Sequence, residues 1–231
     1  MANRPGAHYF PPVKPLEIRT FTSPLFGQNA YLVRVPQATS ALAIDPGADA
    51  AAMADYLAAH DLTLEAILLT HAHLDHVEGV AELVRRTAAP TFMHPADQPL
   101  YAHVVQQGIQ FGLRVEPQPP VDFELAHRAR LPMAGLELEV RHAPGHSPGH
   151  VIFHHAASGH AFVGDVVFQG SIGRTDLPGG DYHQLMRSIR EQVLTLPPET
   201  VLHPGHGPDT TVAAEATTNP FLIPHYGGGL A

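Results

Sequence analysis

The spacing of apolar positions changes repeatedly along the chain, and this change predicts a mixed α/β fold. Short apolar runs predict strands at residues 16–22, 29–35, 41–44, 65–70, 90–93, 136–141, 151–154, 161–163 and 200–202. Helix-forming composition, or apolar residues on one side, predicts helices at residues 50–60, 77–87, 96–107, 182–196 and 213–217. Both halves therefore contain strands followed by helices, but we find no residue-level repeat.

Turn residues divide these elements. The turn Asp45-Pro46-Gly47 closes the strand at 41–44 and predicts a strand-turn-helix unit, with Asp45 structural or behind a ligand site. Residues 112–120 are rich in proline and predict a connection within one domain. We expect one domain over 1–231, with a core at about 15–210, a tail at 211–231 and a loosely ordered end at 226–231, although the length also allows two small domains.

Composition narrows the possible partners and ligands. The 13 Lys+Arg residues against 22 Asp+Glu give a net charge of −9, which argues against general nucleic-acid or membrane binding. No apolar h-region follows Arg4 and no stretch approaches a membrane span, so we expect a cytoplasmic protein. Because the chain has no cysteine, a metal must be bound by imidazole and carboxylate, and the 18 histidines are candidates.

Candidate ligands gather just after predicted strands. The stretch THAHLDH, residues 70–76, places three histidines and an aspartate at the end of the strand at 65–70. In chain order the candidates are His71, His73, Asp75 and His76, then His146 in HAPGHSPGH, Asp165 in FVGDVVF and His206 in LHPGHGP. Loops that leave strands are positioned by a rigid scaffold and commonly form ligand sites. We therefore expect these residues to meet in one site.

The spacing within THAHLDH predicts two metal ions rather than one. Residues i and i+2 of an extended segment face the same way, so His71 and His73 can bind one ion. Asp75 and His76 lie where the chain begins to turn into a helix, and they point elsewhere. With His146, the first pair becomes a set of three nitrogens.

His206 and Asp165 complete this two-ion interpretation. His206 gives the second set one carboxylate and two nitrogens, and Asp165 is then suited to bridge the ions. Two ions about 3.5–4 Å apart can activate a shared hydroxide and polarise a carbonyl, as in hydrolases. Each residue alone also has an ordinary explanation in a turn or a cap, but four motifs in this order make coincidence improbable.

The order THxHxDH, PGHSPGH, GD and PGHG resembles the metallo-β-lactamase fold over about residues 15–210. The resemblance implies an αββα sandwich of two mixed sheets with the metals at one edge. It also implies that one metal is bound by His71, His73 and His146, the other by Asp75, His76 and His206, with Asp165 as the bridge. Such a nitrogen and oxygen site accepts zinc, which we expect, or iron or manganese.

Two further motifs resemble a narrower group. The segment GSIGRTDLPGGD, residues 170–181, is similar to short-form glyoxalase II enzymes (hydroxyacylglutathione hydrolases) and to persulfide dioxygenases, and HPGHGPDTT with EATTNPF resembles the hydrolases more closely. The resemblance implies hydrolysis of S-D-lactoylglutathione to D-lactate and glutathione by a metal-bridging hydroxide. Asp75 and Asp165 are then the expected catalytic carboxylates, with Asp75 also a partner for the hydroxide proton.

The substrate contacts are less defined by the sequence. Arg174 lies where the family's basic glutathione-contacting residue falls, and a guanidinium suits a carboxylate. The alternative is a structural ion pair with Asp176 or Asp181. We expect Tyr182 and His183 to begin a helix rather than line the pocket. Only about two dozen residues follow the last histidine motif, so we expect no separate helical glutathione-binding domain.

Other functions stay open. A persulfide dioxygenase would bind a single iron with two histidines and a carboxylate of the same set. An acyl-homoserine lactonase would keep two metals but usually lacks the GRTD segment. A binding protein without activity would show an eroded ligand set.

Two other activities of this fold are disfavoured. The lack of a secretion signal and of cysteine, together with the bridging carboxylate Asp165, argues against a β-lactamase, and the lack of space for an inserted domain argues against a nuclease. The expected partner is a small glutathione thioester, and the oligomeric state is left open.

Overall fold

The structure, a computed structural model, describes residues 15–223. The predictions for the first fourteen residues and for the loosely ordered end at 226–231 lie outside the described residues. The prediction of one domain over 1–231 stays a prediction. Within the described range, no helix is both long and apolar enough to cross a membrane.

Two six-stranded sheets form the centre of the fold. The first contains, in spatial order, β1 (Glu17–Thr22), β2 (Asn29–Arg34), β3 (Ser40–Ile44), β4 (Thr63–Leu68), β5 (Thr91–Met93) and β6 (Phe123–Glu124). The second contains β14 (Thr210–Thr211), β13 (Val201–Pro204), β10 (His160–Gly164), β9 (Val151–His155), β8 (Leu136–His142) and β7 (Arg130–Met133). A separate hairpin pairs β11 (Val167–Phe168) with β12 (Ser171–Ile172).

Both sheets are mixed. Strands β3 to β6 run parallel to one another, while β1, β2 and β3 pair in antiparallel fashion. In the second sheet β10 and β13 are parallel, and the remaining pairs are antiparallel. Because β8 and β10 both pair antiparallel with β9, the carboxyl ends of β8, β10 and β13 lie at the same edge.

Helices cover the outer faces of the sheets. They are α1 (Ala50–Ala59), α2 (Leu74–Val77), α3 (Val80–Thr87), α4 (Gln98–Ala102), α5 (Val104–Gln110), α6 (Tyr182–Ser188) and α7 (Val212–Thr218). A 3-10 turn at Pro95–Asp97 precedes α4, and a π-helical turn at Ile189–Val193 continues α6. Asp181 caps α6 by accepting a hydrogen bond from the backbone N–H of Gln184 at 2.9 Å, which explains why α6 starts at Tyr182, as predicted.

The two-residue period of the strands divides the core into layers. In β3, Leu42 and Ile44 face the second sheet, whereas Ala41 and Ala43 face the helices. Small residues on the helix side let α1 approach closely, and full burial of a Leu or Ile stabilises the fold by about 1.5–3 kcal/mol. A third buried cluster lies between the second sheet and α6 and α7. This four-layer αββα arrangement confirms the predicted fold class.

Two predicted helices are interrupted. The helix predicted at 77–87 begins earlier, at Leu74, and is divided at Gly79, whose backbone N–H donates to the carbonyl of Pro46 at 3.0 Å. The helix predicted at 96–107 is divided into α4 and α5 at His103. In the first case a tertiary contact with the turn after β3 takes the amide that a continuous helix would use.

Within residues 15–223, five strands were not predicted from the sequence: β6, β7, β11, β12 and β14. Four of them have only two residues, too few to show a period. The fifth, β7, contains Pro132, which lowers the strand signal; it lies at the edge of its sheet, where a missing N–H is tolerated.

Candidate metal centre

The structure brings all seven candidate ligands to one edge, at the carboxyl ends of the strands. They follow β4 (His71 and His73), lie in α2 (Asp75 and His76), or follow β8, β10 and β13 (His146, Asp165 and His206). The nitrogen and oxygen atoms of six of them form two groups, each of which could hold a metal ion, and Asp165 is the seventh.

The first group, the three-histidine cluster, consists of His71, His73 and His146. The Nδ1 atom of His73 lies 2.8 Å from Nε2 of His146, and that Nε2 lies 3.2 Å from Nε2 of His71. All three side chains are buried. Burial lowers the pKa of His71 well below its usual value and that of His73 to about 3. Both rings are therefore neutral at physiological pH.

Hydrogen bonds on the outer side of the cluster fix which nitrogens carry protons. Nδ1 of His146 donates to the carbonyl of Arg174 at 2.8 Å, and Nδ1 of His71 donates to Oγ1 of Thr70 at 3.0 Å. In a neutral imidazole the other nitrogen then carries a lone pair. Nε2 of His71 thus presents a lone pair toward Nε2 of His146, 3.2 Å away. A metal ion between these nitrogens would accept that lone pair, so the residues present fit a metal.

The second group, the mixed cluster, consists of Asp75, His76 and His206. Nε2 of His206 lies 3.1 Å from Oδ2 of Asp75, and Nε2 of His76 lies 3.8 Å from the same oxygen. Burial lowers the pKa of His76, but the carboxylates of Asp165 and Asp75 outweigh burial and raise it well above its usual value. Nε2 of His76 is buried and faces these two carboxylates at 3.4 and 3.8 Å, so a metal ion could take the place of its proton.

Asp165 lies between the two clusters. Its Oδ2 is 3.5 Å from Nε2 of His146 and 3.6 Å from Nε2 of His206, and its Oδ1 is 3.4 Å from Nε2 of His76. Burial opposes ionisation, but the attraction of His76 prevails and lowers the pKa of the Asp165 carboxyl below its usual range. Asp165 is therefore an anion within reach of both clusters, the arrangement that a bridging ligand requires.

Asp45 supports both clusters from behind. Its carboxylate accepts hydrogen bonds from the Thr70 N–H at 2.7 Å, from Oγ1 of Thr70 at 2.6 Å and from Nδ1 of His76 at 2.9 Å. Asp45 also lies close enough to His71 and His76 to form a third possible ligand group. Since its carboxylate already accepts three donors, we assign it to orienting the ring of His76 and, through Thr70, that of His71.

Asp97 was missed by the sequence analysis. This buried carboxylate accepts hydrogen bonds from the Ala72 N–H at 3.0 Å, from Oγ of Ser147 at 2.7 Å and from the Gly149 N–H at 2.5 Å. Burial raises its pKa although the three donors oppose the rise. Asp97 thereby ties the loop of His71 and His73 to the loop of His146. The sequence HPADQPL shows only a proline and an acidic residue at a helix start, so it carries no distinct signal.

A second missed residue is His150. Its Nε2 accepts a hydrogen bond from the Asp165 N–H at 3.0 Å, and its ring stacks on His71 with centroids 4.7 Å apart. Burial lowers its pKa well below the usual value, which keeps Nε2 free to accept. The motif HSPGH in the sequence contains this histidine, but strand period alone does not distinguish it from a core residue.

Two glycines let the motif loops approach each other. A Cβ at Gly205 would lie 2.1 Å from Oδ1 of Asp165 and 2.6 Å from Cε1 of His76. Gly164 has φ +48°, and a Cβ there would lie 2.5 Å from Oγ1 of Thr70. Any side chain at Gly205 would enter the space between the ligand residues, so the PGHG motif requires this glycine.

Arg174 lies beside the metal centre and also forms the ion pair with Asp176 that the sequence allowed. Its side chain lines a cavity of about 740 Å³ that also contacts His73, Asp75 and His206. Its Nε and Nη2 atoms donate to the two carboxylate oxygens of Asp176, each at 2.7 Å. Both partners are exposed, so water screens the pair and it contributes little to stability. A ligand carboxylate can therefore compete for this guanidinium.

A four-layer αββα sandwich with two histidine and aspartate clusters at the strand ends defines a class of metal-dependent enzymes. A family model described as the Metallo-beta-lactamase superfamily matches residues 23–206, so the chain belongs to this superfamily. A relative named hydroxyacylglutathione hydrolase GloC, from Haemophilus influenzae, is 38% identical over 204 residues, 85% of this chain and 93% of the relative. The chain is accordingly a metal-dependent hydrolase, as predicted.

Two solved structures are also similar. The crystal structure of the BLEG-1 B3 metallo-β-lactamase has a TM-score of 0.84 and 35% identity and covers 90% of this chain and all of its own. The TTHA1623 protein, solved in a di-iron-bound form, has a TM-score of 0.81 and 43% identity and covers 88% of this chain and all of its own.

Proposed function

We propose that the protein is a dinuclear-metal hydrolase of glutathione thioesters such as S-D-lactoylglutathione, which it hydrolyses to D-lactate and glutathione. The observation that carries this proposal is the pair of clusters with Asp165 within 3.6 Å of both. The name of the similar Haemophilus influenzae protein, hydroxyacylglutathione hydrolase, supports the choice of substrate.

The proposed ligand sets follow the clusters. His71, His73 and His146 would hold one divalent ion, Asp75, His76 and His206 the other, and Asp165 would contact both. We propose zinc as the native metal. The di-iron form of the similar TTHA1623 protein supports iron as a second choice, and a nitrogen and oxygen donor set also accepts manganese.

Divalent ions at these positions, when bound, would polarise the thioester carbonyl and lower the pKa of water to give a nucleophile near neutral pH. The chain supplies the proton acceptor. Burial opposes ionisation of Asp75, but His76 lowers its pKa below the usual value, so Asp75 is a carboxylate at neutral pH and lines the cavity. Asp75 can thus take the proton of the attacking water, and Asp165 holds the second negative charge of the centre.

Arg174 is the proposed contact for a substrate carboxylate. Its guanidinium lies in the cavity lining and is held by Asp176 with two parallel hydrogen bonds. A glutathione carboxylate offers the same two oxygens and could take the place of Asp176. Exchange of one carboxylate for another keeps the guanidinium paired throughout.

The test is metal analysis of the purified chain together with two parallel assays. We expect two metal ions per chain, hydrolysis of S-D-lactoylglutathione followed by thiol release, and no oxygen uptake with glutathione persulfide. One iron per chain with persulfide-dependent oxygen consumption and no thioester hydrolysis would instead establish a persulfide dioxygenase.

The similarity to BLEG-1 favours a second candidate, hydrolysis of a β-lactam amide, which the sequence analysis disfavoured. The same metal centre could attack either carbonyl, and the fold alone does not decide between them. A chromogenic cephalosporin assayed beside the thioester separates the two. The cytoplasmic location stays a prediction.

A further inference from the structure

The cavity beside the metal centre is large and mainly apolar away from the ligands. Its volume of about 740 Å³ lies within the range of about 300–1,000 Å³ typical of small-molecule sites. Beyond the metal centre, aromatic and aliphatic side chains from both halves of the chain line it, among them Phe26, Leu100, Phe111, Phe168, Ile172 and Leu177. We call these six residues the apolar wall.

The apolar wall continues to the protein surface. Phe111 is 60% exposed and packs edge-on against Phe26 with ring centroids 5.5 Å apart. Ile109 and Leu25, close to them in sequence, are also exposed. An apolar group bound along the wall would cover this surface and gain free energy from its removal from water.

Apart from the candidate ligands, the polar side chains that line the same cavity are Arg174 and a group at residues 103–110, namely His103, Gln106, Gln107 and Gln110, and none of them belongs to the apolar wall. Of the described residues that line it, Arg174 is the sole arginine or lysine, and Asp176 already binds it. Gln107 is also engaged, since it accepts from the Leu74 N–H at 3.0 Å and donates to the Leu100 carbonyl at 2.9 Å. Burying a polar group without a partner costs free energy, so the wall suits hydrocarbon better than peptide.

We propose that this cavity selects thioesters whose acyl group is an apolar chain of several carbons over the short, hydroxylated lactoyl group. The inference rests on the proposed thioester hydrolysis. The thiol carriers of cellular thioesters are polar, so the apolar part of such a substrate is its acyl chain. The carrier then extends toward Arg174 and solvent, while the acyl chain lies along the apolar wall.

The first experiment measures kcat/KM of the metal-loaded full chain for S-acetyl-, S-butyryl-, S-hexanoyl- and S-octanoylglutathione, with S-D-lactoylglutathione as the reference. We expect kcat/KM to rise by about fourfold per methylene and the hexanoyl substrate to exceed the lactoyl substrate. Constant or falling values along the series, or a preference for lactoyl, would overturn the inference while leaving thioester hydrolysis established.

A matched pair of variants tests the wall itself. Phe111→Ala removes a wall residue, whereas Phe123→Ala removes a phenylalanine of similar exposure, 53% against 60%, that does not line the cavity. We expect Phe111→Ala to lower kcat/KM for the octanoyl substrate about tenfold more than for the acetyl substrate. Phe123→Ala should leave the ratio unchanged. Equal effects of the two variants would show that Phe111 does not contact the chain.

Binding of thioethers separates this inference from the proposed reaction, because S-methyl-, S-butyl- and S-octylglutathione have no bond to hydrolyse. We expect calorimetric Kd values to fall with chain length for the same metal-loaded protein. Falling Kd values without hydrolysis of any thioester would uphold the apolar wall and refute the proposed function. Kd values independent of chain length would refute the wall, whatever the hydrolysis assays show.

Discussion

The two clusters of the metal centre differ in charge and in access. The three-histidine cluster is buried, with exposures of 0% for His71, 8% for His73 and 2% for His146, and it contains no carboxylate. The mixed cluster includes Asp75 and is more open, since 30% of the His206 side chain and 18% of the Asp75 side chain are exposed. Only the mixed cluster can balance its own charge, because its histidines pair with carboxylates.

The difference in charge and access indicates separate roles for the two clusters. The three-histidine cluster holds ring nitrogens 2.8 and 3.2 Å apart, and hydrogen bonds with Asp97 and Thr70 fix its loops and rings in place. The mixed cluster forms ion pairs without a metal and faces the cavity. With the two proposed ions bound, the first cluster would anchor its ion, whereas the second would exchange ligands with solvent and substrate.

The largest effect is expected for Asp165→Ala, which removes the link between the clusters. Each of the two proposed ions would lose a ligand, so metal and hydrolysis should be lost together. We expect kcat/KM to fall by more than about 100-fold, which exceeds the loss of about 10- to 100-fold usual for residues that only support a ligand. Metal analysis and thioester assays measure this. The control is Asp209→Ala, which breaks a 2.9 Å contact with His203 outside the cavity lining. Full activity of Asp165→Ala with two bound ions would show that Asp165 is no bridge.

A smaller effect is expected for Asp97→Asn, which weakens the three-histidine cluster alone. The amide keeps one acceptor oxygen for three donors, so the two ligand loops should separate and one ion should bind about 10- to 100-fold more weakly. Titration with metal after chelation measures both affinities. Asp122→Asn is the matched control, because Asp122 accepts from the backbone and side chain of Thr91 away from the clusters. Equal weakening of both ions would contradict the division into two clusters.

Chelation should resolve the two clusters in the unaltered protein. Because His206 and Asp75 are partly exposed while the three-histidine cluster is buried, we expect one ion per chain to leave faster than the other. Metal released to a chromogenic chelator, followed over time, measures the two phases. A single phase that releases both ions would indicate equal access and would argue against the proposed difference.

The smallest effect that we expect concerns the pH dependence of stability at His94, away from both clusters. Burial and the stacked ring of His142 lower the pKa of His94 from 6.5 to about 4. The folded state therefore favours neutral His94, so its contribution to stability is present above pH 6.5 and is lost as the pH falls toward about 4. Protonation would also remove the Nδ1 lone pair that accepts from the Ala96 N–H.

The variant His94→Gln tests this pH dependence. Both proteins are first freed of metal with a chelator and then unfolded in urea between pH 7 and 4. The free energy of unfolding should fall less steeply with decreasing pH for the variant. Identical pH profiles would mean that His94 has the same pKa in the folded and unfolded states.

The sequence predicted secondary structure correctly where a run of apolar residues is long enough to show a period. Both faces of the central strands are buried, and the apolar runs around 41–44 and 65–70 show this directly. Strands of two residues, such as β11 and β14, have no period to detect and form only because tertiary neighbours pair with them. The break at Gly79 likewise depends on a contact with Pro46, which is distant in sequence.

The periodicity of the chain predicted a mixed α/β fold, and the order of its histidine and aspartate motifs supplied both the candidate ligands and the resemblance that implied an αββα sandwich. Strand period and the HxHxDH spacing are local properties of the chain, so both can be seen without the structure. Only the tertiary structure decided that Asp97 and Asp45 support these ligands, since hydrogen bonds over 25 residues or more leave no local pattern. It alone also decided that Arg174 is paired with Asp176 and lies beside an apolar wall. The physical reason is that a cavity is made by side chains from many loops, and their convergence is fixed by packing rather than by spacing along the chain.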